Sequence, residues 1–307
     1  MRWWFAPAPA ERLAGIRILV GAFAAVYLLA MLGRLLAVAR LPASSFAPIG
    51  VVGLVAERPL DPLLWQMLVG LAVALSLAFA VGALHRVLAP LFAAVLLFVL
   101  TYRSSWGMIF HTENLLVLHV IVLALAPAAD AWSIDAARRG AAGPDAGHRW
   151  PLRLLAATTA LTYVLAGVAK LRIGGLDWIS GEELRDQVAI DNLRKVLLGD
   201  GASALATPLL THPGAFHLLA ALTIAVELGA PIALAGGRIA AAWALTAWGF
   251  HVGVALLMWI VFPYPLCGLA YAPLFAIERP LASLGARLAA AARSSSTKAR
   301  RRRRAPS

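Results

Sequence analysis

The sequence predicts an all-α fold, a polytopic membrane helix bundle of about eight transmembrane helices. Three observations carry this. Of the 307 residues, 61% are hydrophobic and only 14% are charged, whereas soluble domains hold about 45–50% apolar and about 25% charged residues. The apolar residues fall in runs near the roughly 20 residues that a helix needs to cross about 30 Å of hydrocarbon. The basic excess is local: of the formal charge of +12, seven positive charges sit at Arg293, Lys298 and Arg300 to Arg304, leaving +5 (12 − 7) for the rest. A nucleic-acid partner is therefore not expected, and the cation is a tail on a lipophilic body. The single Cys267 rules out an internal disulfide framework, a CxxC redox pair and a thiolate zinc cluster, and no metal site is expected.

In chain order the spans fall near 13–36, 62–84, 87–103, 113–130, 151–171, 215–236, 239–262 and 263–277. The first is long and lacks a small-residue cleavage site, so it is expected to stay as a helix rather than leave as a signal peptide. The second and seventh contain no Asp, Glu, Lys or Arg. The eighth is short and bracketed by Pro263, Pro265, Pro273 and Pro280, which predicts a partial or kinked span. Eight crossings put both termini on one side, and the arginine tail places that side in the cytoplasm of a cell (inner) membrane, with Arg138, Arg139 and Arg149 of the loop 131–150 on the same face. Residues 1–280 thus form the transmembrane domain, and 281–307 a basic, largely disordered cytoplasmic tail suited to anionic lipids.

Two outer segments exceed simple turns. Residues 37–61 hold Pro42, Pro48 and Pro59 and read as an irregular loop or a short re-entrant piece. In the outer loop 172–214, Ser180 and Glu183 have capping-box spacing, ahead of a helical run to about Leu198. Leu184, Val188, Val196 and Leu197 suit an interfacial helix, and an ordinary loop helix fits the same pattern.

Ionisable and polar groups at membrane depth are costly, so each is a candidate for function. At about 1.5 Å per residue, Glu227 and His251 fall near the midplane and His119 about 10 Å below the outer face, with Asn114 and Lys170 at the outer boundary. Lys170 is the most informative. The chain has only three lysines, Lys170, Lys195 and Lys298, against 24 arginines. A desolvated amine can give up its proton and act as a base, which a guanidinium cannot do. A snorkelling anchor is the plainer account of a lysine at a helix end. Glu227 and His251 have structural roles open to them as well, as hydrogen-bond partners near the Pro231 kink and between helices, and His119 suits a satisfied core histidine. Arg17 is expected to snorkel or to pair with an acid such as Glu227. Trp3, Trp4, Trp106, Trp150 and Trp178 fit an interfacial aromatic belt.

The run from Tyr163 through Ala166, Gly167 and Lys170 to Leu171, followed by Asp177, Trp178 and Gly181, resembles the vitamin K-dependent γ-carboxylase family, and more broadly the HTTM family of membrane proteins to which that carboxylase belongs. Phe250-His251 and Phe262-Pro263-Tyr264 resemble a second carboxylase patch, with weaker support from Arg17, from Arg103 to Trp106 and from Ala129 to Asp135. The likeness covers roughly residues 13–277, and its specific part is about forty residues. It implies an HTTM-like bundle in which Lys170 is the base toward a lipid quinol, reduced vitamin K or menaquinol. It also implies carboxylase-like lyase or quinol-oxygenase chemistry, in which the oxygenated quinol becomes a base strong enough to take a glutamate γ-proton before carbon dioxide adds. On that reading His251 and Asn114 join Lys170 as catalytic groups, and Tyr163, Trp178, Glu227 and His119 bind substrate. The chain departs from the carboxylase where an Asn-His pair is replaced by Glu113-Asn114, and where polar residues give way to Gly253, Val254, Ala255 and Leu256. The carboxylase's large lumenal region, which engages its substrate, has no counterpart. The alternative is a non-enzymatic accessory protein for the maturation, export or immunity of a secreted peptide.

Overall fold

The computed structural model describes residues 2–284, 286 and 287, so the reading of the basic tail lies almost wholly outside the described residues. Eight helices organise the bundle: α1 Ala10–Ala30, α2 Pro62–Val81, α3 His85–Arg103, α4 Asn114–Leu125, α5 Arg149–Gly174, α6 Glu182–Leu197, α7 Pro213–Leu228 and α8 Gly237–Met258. No strand forms among the described residues; an isolated bridge joins Ala8 to Asp145.

Their ends follow local chemistry. Asp61 caps α2 by accepting from the Leu63 and Leu64 amides at 2.9 and 3.2 Å, with Pro62 in the first turn. The same helix stops at Gly82, which takes φ +63°. The Asp135 carboxylate accepts from the Leu84 and His85 amides at 3.0 and 2.9 Å, so a residue fifty positions away caps α3.

Among the described residues, five helices are long and apolar enough to cross a membrane: α1, α2, α3, α5 and α8. Their outer faces carry exposed Val26, Leu29, Leu77, Leu161, Leu165 and Leu245, apolar surface that a bilayer covers. The all-helical bundle is as expected, and five of the about eight expected spans are long continuous helices. α4 has 12 residues and α7 has 16. Residues 263–277 form a short helix Pro263–Leu266 and a 3-10 run Leu269–Leu274, joined at Gly268 with φ +80°. The prolines remove the amides that a continuous helix needs. This broken segment still travels alongside α8, since Trp248 donates to the Leu266 carbonyl at 2.8 Å and Trp243 stacks edge-on against Tyr271. Tyr264, Ala270 and Tyr271 are buried, and irregular backbone at membrane depth is tolerated where protein surrounds it.

α1 packs on α2, α2 on α3 and α3 on α4, while α5 joins α4 to a second half built from α7, α8 and the 3-10 runs Ala230–Ala235 and Leu269–Leu274. Gly21 lets α1 approach α2, because a Cβ there would lie 2.8 Å from the Ala80 Cα. Both ends of the bundle meet on one face. Arg12 donates twice to the Glu278 carboxylate, at 2.8 and 2.9 Å, and the Ala8–Asp145 bridge brings the loop before α5 to the same face.

Two local expectations are corrected. Arg17 neither snorkels nor meets Glu227. It is fully buried and donates to the carbonyls of Ala128 (2.7 Å), Trp132 (2.6 Å), Ala80 (3.3 Å) and Ala131 (3.4 Å). Those carbonyls are left over where α2 ends and where the chain turns after α4, and one guanidinium gathers them. The Ser180–Glu183 capping box does not form. Ser180 closes a short helix Asp177–Ser180, its hydroxyl donates to the Asp177 carbonyl, and α6 starts after Gly181 at φ +87°. Glycine is required there, because a Cβ would lie 2.5 Å from the backbone of α7 at Phe216 and His217. The loop 37–61 consists of three 3-10 turns, at Val38–Arg40, Ala43–Ser45 and Val52–Leu54.

α6 is seated on the end of the second half where α8 finishes. Asn192 donates to the Leu257 carbonyl at 2.9 Å, Ser203 to the Leu256 carbonyl at 2.6 Å, and Lys195 to the Met258 carbonyl. Three consecutive carbonyls at the end of α8 are thus satisfied from outside. Asp191 holds Lys195 in place. Partial burial alone would raise its pKa, but the bonded Lys195 and Arg194 cations outweigh it and hold the carboxyl below its ordinary range. Val188 faces inward onto Phe216, whereas Val196 and Leu197 are exposed.

Candidate functional site

Tyr163, Gly167 and Lys170 recur at helical spacing on one face of α5, and the second half of the bundle closes around that face. Lys170 Nζ donates to Glu227 Oε1 of α7 at 2.5 Å. Gly167 permits this contact: a Cβ there would lie 3.0 Å from the Glu227 Cβ and 2.9 Å from Leu228 Cδ2. The Lys170 side chain is 23% exposed and that of Glu227 is 3% exposed, so the amine reaches from a partly open rim to a carboxylate inside. Trp178, from the short helix after α5, lies across the amine with its ring centroid 5.5 Å from Nζ. A cation over an indole face in this setting is held by the ring quadrupole.

One turn deeper, the Tyr163 hydroxyl sits between His251 Nε2 and the Tyr271 hydroxyl, 2.7 Å from each. The Trp243 ring stands edge-on to Tyr163, and its indole N–H donates to the Val226 carbonyl at 3.0 Å, fixing the last turn of α7 beside Glu227. His251 lies within Coulombic range of Lys170. The two halves of the site therefore form one polar cluster walled by aromatic rings. Three buried atoms of this cluster have no hydrogen-bond partner among the described residues: Glu227 Oε2, His251 Nδ1 and Trp178 Nε1. Buried polar groups are normally satisfied, so these mark where a polar ligand group can bond. An apolar cavity of about 270 Å³ lies between α7 and α8 beneath α6, lined by Val226, Phe250, Thr223 and Leu257 among others. Val226 and Phe250 are the chain neighbours of Glu227 and His251.

α7 begins beside Gly181, beyond the end of α5. Glu227 is therefore level with Gly167, seven residues and about 10 Å from the C-terminal end of α5.

Tyr163, Lys170, Trp178, Glu227 and His251 thus come together, and His119 and Asn114 lie elsewhere. His119 is fully buried with both ring nitrogens partnered, Nδ1 by the Tyr264 hydroxyl at 2.7 Å and Nε2 by the Thr159 hydroxyl at 3.2 Å. Asn114 opens α4 and lines a separate cavity of about 420 Å³ with Leu97, Phe110 and Glu113. Three groups escaped the sequence reading. Tyr271 sits in the proline-broken segment, where no periodicity assigns it a face. Trp243 reads as one more apolar helix residue. Glu113 forms a buried knot with Arg103 (2.8 Å) and the Tyr27 hydroxyl; its place next to Asn114 at a helix start was the available signal.

No curated protein and no solved structure matches the chain. A family comparison matches residues 5–278 to the HTTM domain, a stretch that runs from ahead of α1 to Glu278 and takes in every element of the site. The chain is a member of the HTTM family of membrane proteins.

Proposed function

We propose that this HTTM protein binds a lipid quinol in the outer half of the bundle and that Lys170 accepts the proton of a quinol hydroxyl. The single observation that carries this is the Lys170–Glu227 pair, 2.5 Å apart, with Glu227 Oε2 buried and unpartnered. At low dielectric an ammonium–carboxylate pair lies close in free energy to its neutral amine–carboxylic acid form. Glu227 can therefore hold the Lys170 proton and leave the amine free as a base. The quinol would supply an acidic hydroxyl on a flat ring. The residues present fit such a group: Trp178 and Tyr163 offer aromatic faces, His251 Nδ1 and Trp178 Nε1 offer hydrogen-bonding atoms, and the apolar cavity beneath α6 suits an isoprenoid chain. When the O–H bond breaks, the proton passes to Nζ and the electron pair stays on the oxygen. The 23% exposure of Lys170 gives the proton a way out.

A second reading draws on the same pair. Gly167 brings α5 and α7 into close contact, and a salt bridge there staples them, as an accessory protein for a secreted peptide would also require. The deciding experiment is lipid extraction from the purified full-length protein with mass-spectrometric search for quinone. A near-stoichiometric quinone, depleted in Lys170→Ala, is expected. Its absence from the wild-type protein would leave the accessory reading.

We infer further that the face joining Arg12 to Glu278 is cytoplasmic. Arg12, Arg138, Arg139, Arg149 and Arg153 belong to it; such clusters are held inside and are attracted to anionic lipid. A reporter fused after Ser307 should be active only in the cytoplasm, and periplasmic activity would reverse this orientation.

A further inference from the structure

The junction of α7 and α8 beside the Lys170 cluster is hollow, and two glycines keep it so. Gly249 and Gly253 stand one turn apart on the same face of α8 and line the cavity of about 270 Å³. Glycine inside a helix is destabilising relative to alanine, and in membrane helices a pair at this spacing ordinarily lets another helix come close. Gly21 and Gly167 serve close approach here, since a Cβ at either would lie 2.8 or 2.9 Å from the facing helix. A Cβ at Gly249 or Gly253 would meet no atom of a neighbouring element within 4 Å. These two glycines admit no other helix among the described residues and hold space instead. Gly253 and Val254 also lie in the stretch where the sequence departs from the carboxylase, so the resemblance assigns this wall no role.

The lining holds no charged side chain, and its polar ones are Thr223 and Thr246. Thr246 is engaged: like Thr158, Thr159 and Thr162, it donates to the carbonyl four residues back. Thr223 is 6% exposed and makes no hydrogen bond among the described residues. A buried hydroxyl is normally bonded, so this one, in the cavity wall, is left for a ligand oxygen. The cavity adjoins the Lys170 site. Thr223 lies one turn, about 6 Å, along α7 from Glu227, and the Phe250 ring of the lining stands against the His251 ring at 5.1 Å. Leu222 and Thr246 in the lining are exposed, so the cavity opens sideways between α7 and α8. A charged head would be costly to bury here. A hydrocarbon chain with one oxygen near its root fits both the wall and the hydroxyl.

We propose that this cavity takes the prenyl chain of the quinol, with Gly249 and Gly253 selecting a chain-bearing substrate and Thr223 donating to the ring oxygen beside the chain. The inference rests on the quinol reading and narrows it to a prenylated para-hydroquinone. Thr223 and the Lys170–Glu227 pair, one turn apart, address its two oxygens, and a chain longer than the cavity leaves between α7 and α8.

The test uses the delipidated full-length protein in detergent and two probes with the same ring: phylloquinone, which carries a prenyl-derived chain, and menadione, which carries none. Affinities are read from tryptophan fluorescence quenching at matched mole fractions in the micelle. Wild type is expected to bind phylloquinone at least about 10-fold more tightly than menadione. In Gly249→Leu/Gly253→Leu, which fills the cavity with side chains that helices favour, this ratio should fall toward one. Thr223→Val should weaken binding of both probes by about 3–10-fold and leave the ratio standing. Should the double glycine variant not fold, Gly253→Ala, a smaller obstruction, should still lower the ratio. A ratio kept by the glycine variants, undiminished affinity in Thr223→Val, or a changed oligomeric state of the glycine variants on native mass spectrometry would overturn the proposal and leave the quinol at Lys170. Failure of wild type to bind either probe would instead remove the quinol reading itself.

Discussion

Arg17→Met is expected to destabilise the fold, with a melting temperature in detergent lower by about 3–10 °C. Methionine fills a similar volume and removes the cost of keeping a cation in a fully buried place. Against that gain stand four carbonyls, at Ala80, Ala128, Ala131 and Trp132, that Arg17 now satisfies. The two bonds at 2.7 and 2.6 Å alone represent about 2–6 kcal/mol if their acceptors are left buried and unpaired. In a chain of this size each kcal/mol moves the midpoint by about 1.5–2 °C. The unmade bonds therefore outweigh the relieved charge. Gly82 shows how closely the site is fitted, since a Cβ there would lie 2.8 Å from Arg17 Nη1. Arg17→Lys has three donors without the planar fork and should fall between the two. A wild-type melting curve for Arg17→Met would mean that the turn after α4 is held by something else.

That residue also shows where the sequence is legible and where it is not. Asp61-Pro62 before an apolar run and Gly82 after it mark both ends of α2 with local chemistry, and the structure places the ends there. Arg17 is visible in the sequence as a charge inside an apolar helix, but its partners are carbonyls, which no residue type announces, brought together by turns more than sixty positions away. The same applies at the ends of α8 and α3, satisfied by Asn192, Lys195 and Ser203 in one case and by Asp135 in the other. Proline content correctly singled out residues 263–277 as irregular. Hydropathy could not reveal that this irregular piece delivers Tyr264 to His119 and Tyr271 to Tyr163. Within the site, Lys170 was legible because the chain otherwise uses arginine, whereas its pairing with Glu227 depends on α7 starting outside the level of α5. Counting residues from an assumed membrane boundary hides that offset.

Lys170→Arg separates the two roles open to this pair. Glu227 has one oxygen bonded to Lys170 and the other unpartnered. A guanidinium can bond both oxygens in a bidentate fork, so Arg at this position should preserve expression and hold the melting temperature at or above that of the wild type. It cannot give up its proton in a protein. If Lys170 is the base toward a bound quinol, the ionised fraction of that quinol, read from its ultraviolet difference spectrum in the purified protein, should fall to background in Lys170→Arg while quinone still co-purifies. Lys170→Ala should lose the ionised form as well, and should also destabilise the bundle by about 3–5 kcal/mol if Glu227 stays charged without a partner. Glu227→Gln completes the set: without the carboxylate, the proton that Lys170 takes from the quinol is no longer stabilised by a neighbouring negative charge, so quinol ionisation should drop although Lys170 is intact. A stapling salt bridge predicts the opposite order, with Lys170→Arg indistinguishable from wild type in every readout and only Lys170→Ala and Glu227→Gln impaired, through stability alone. An ionised quinol undiminished in Lys170→Arg would therefore remove Lys170 from the chemistry and leave the pair as the joint between α5 and α7.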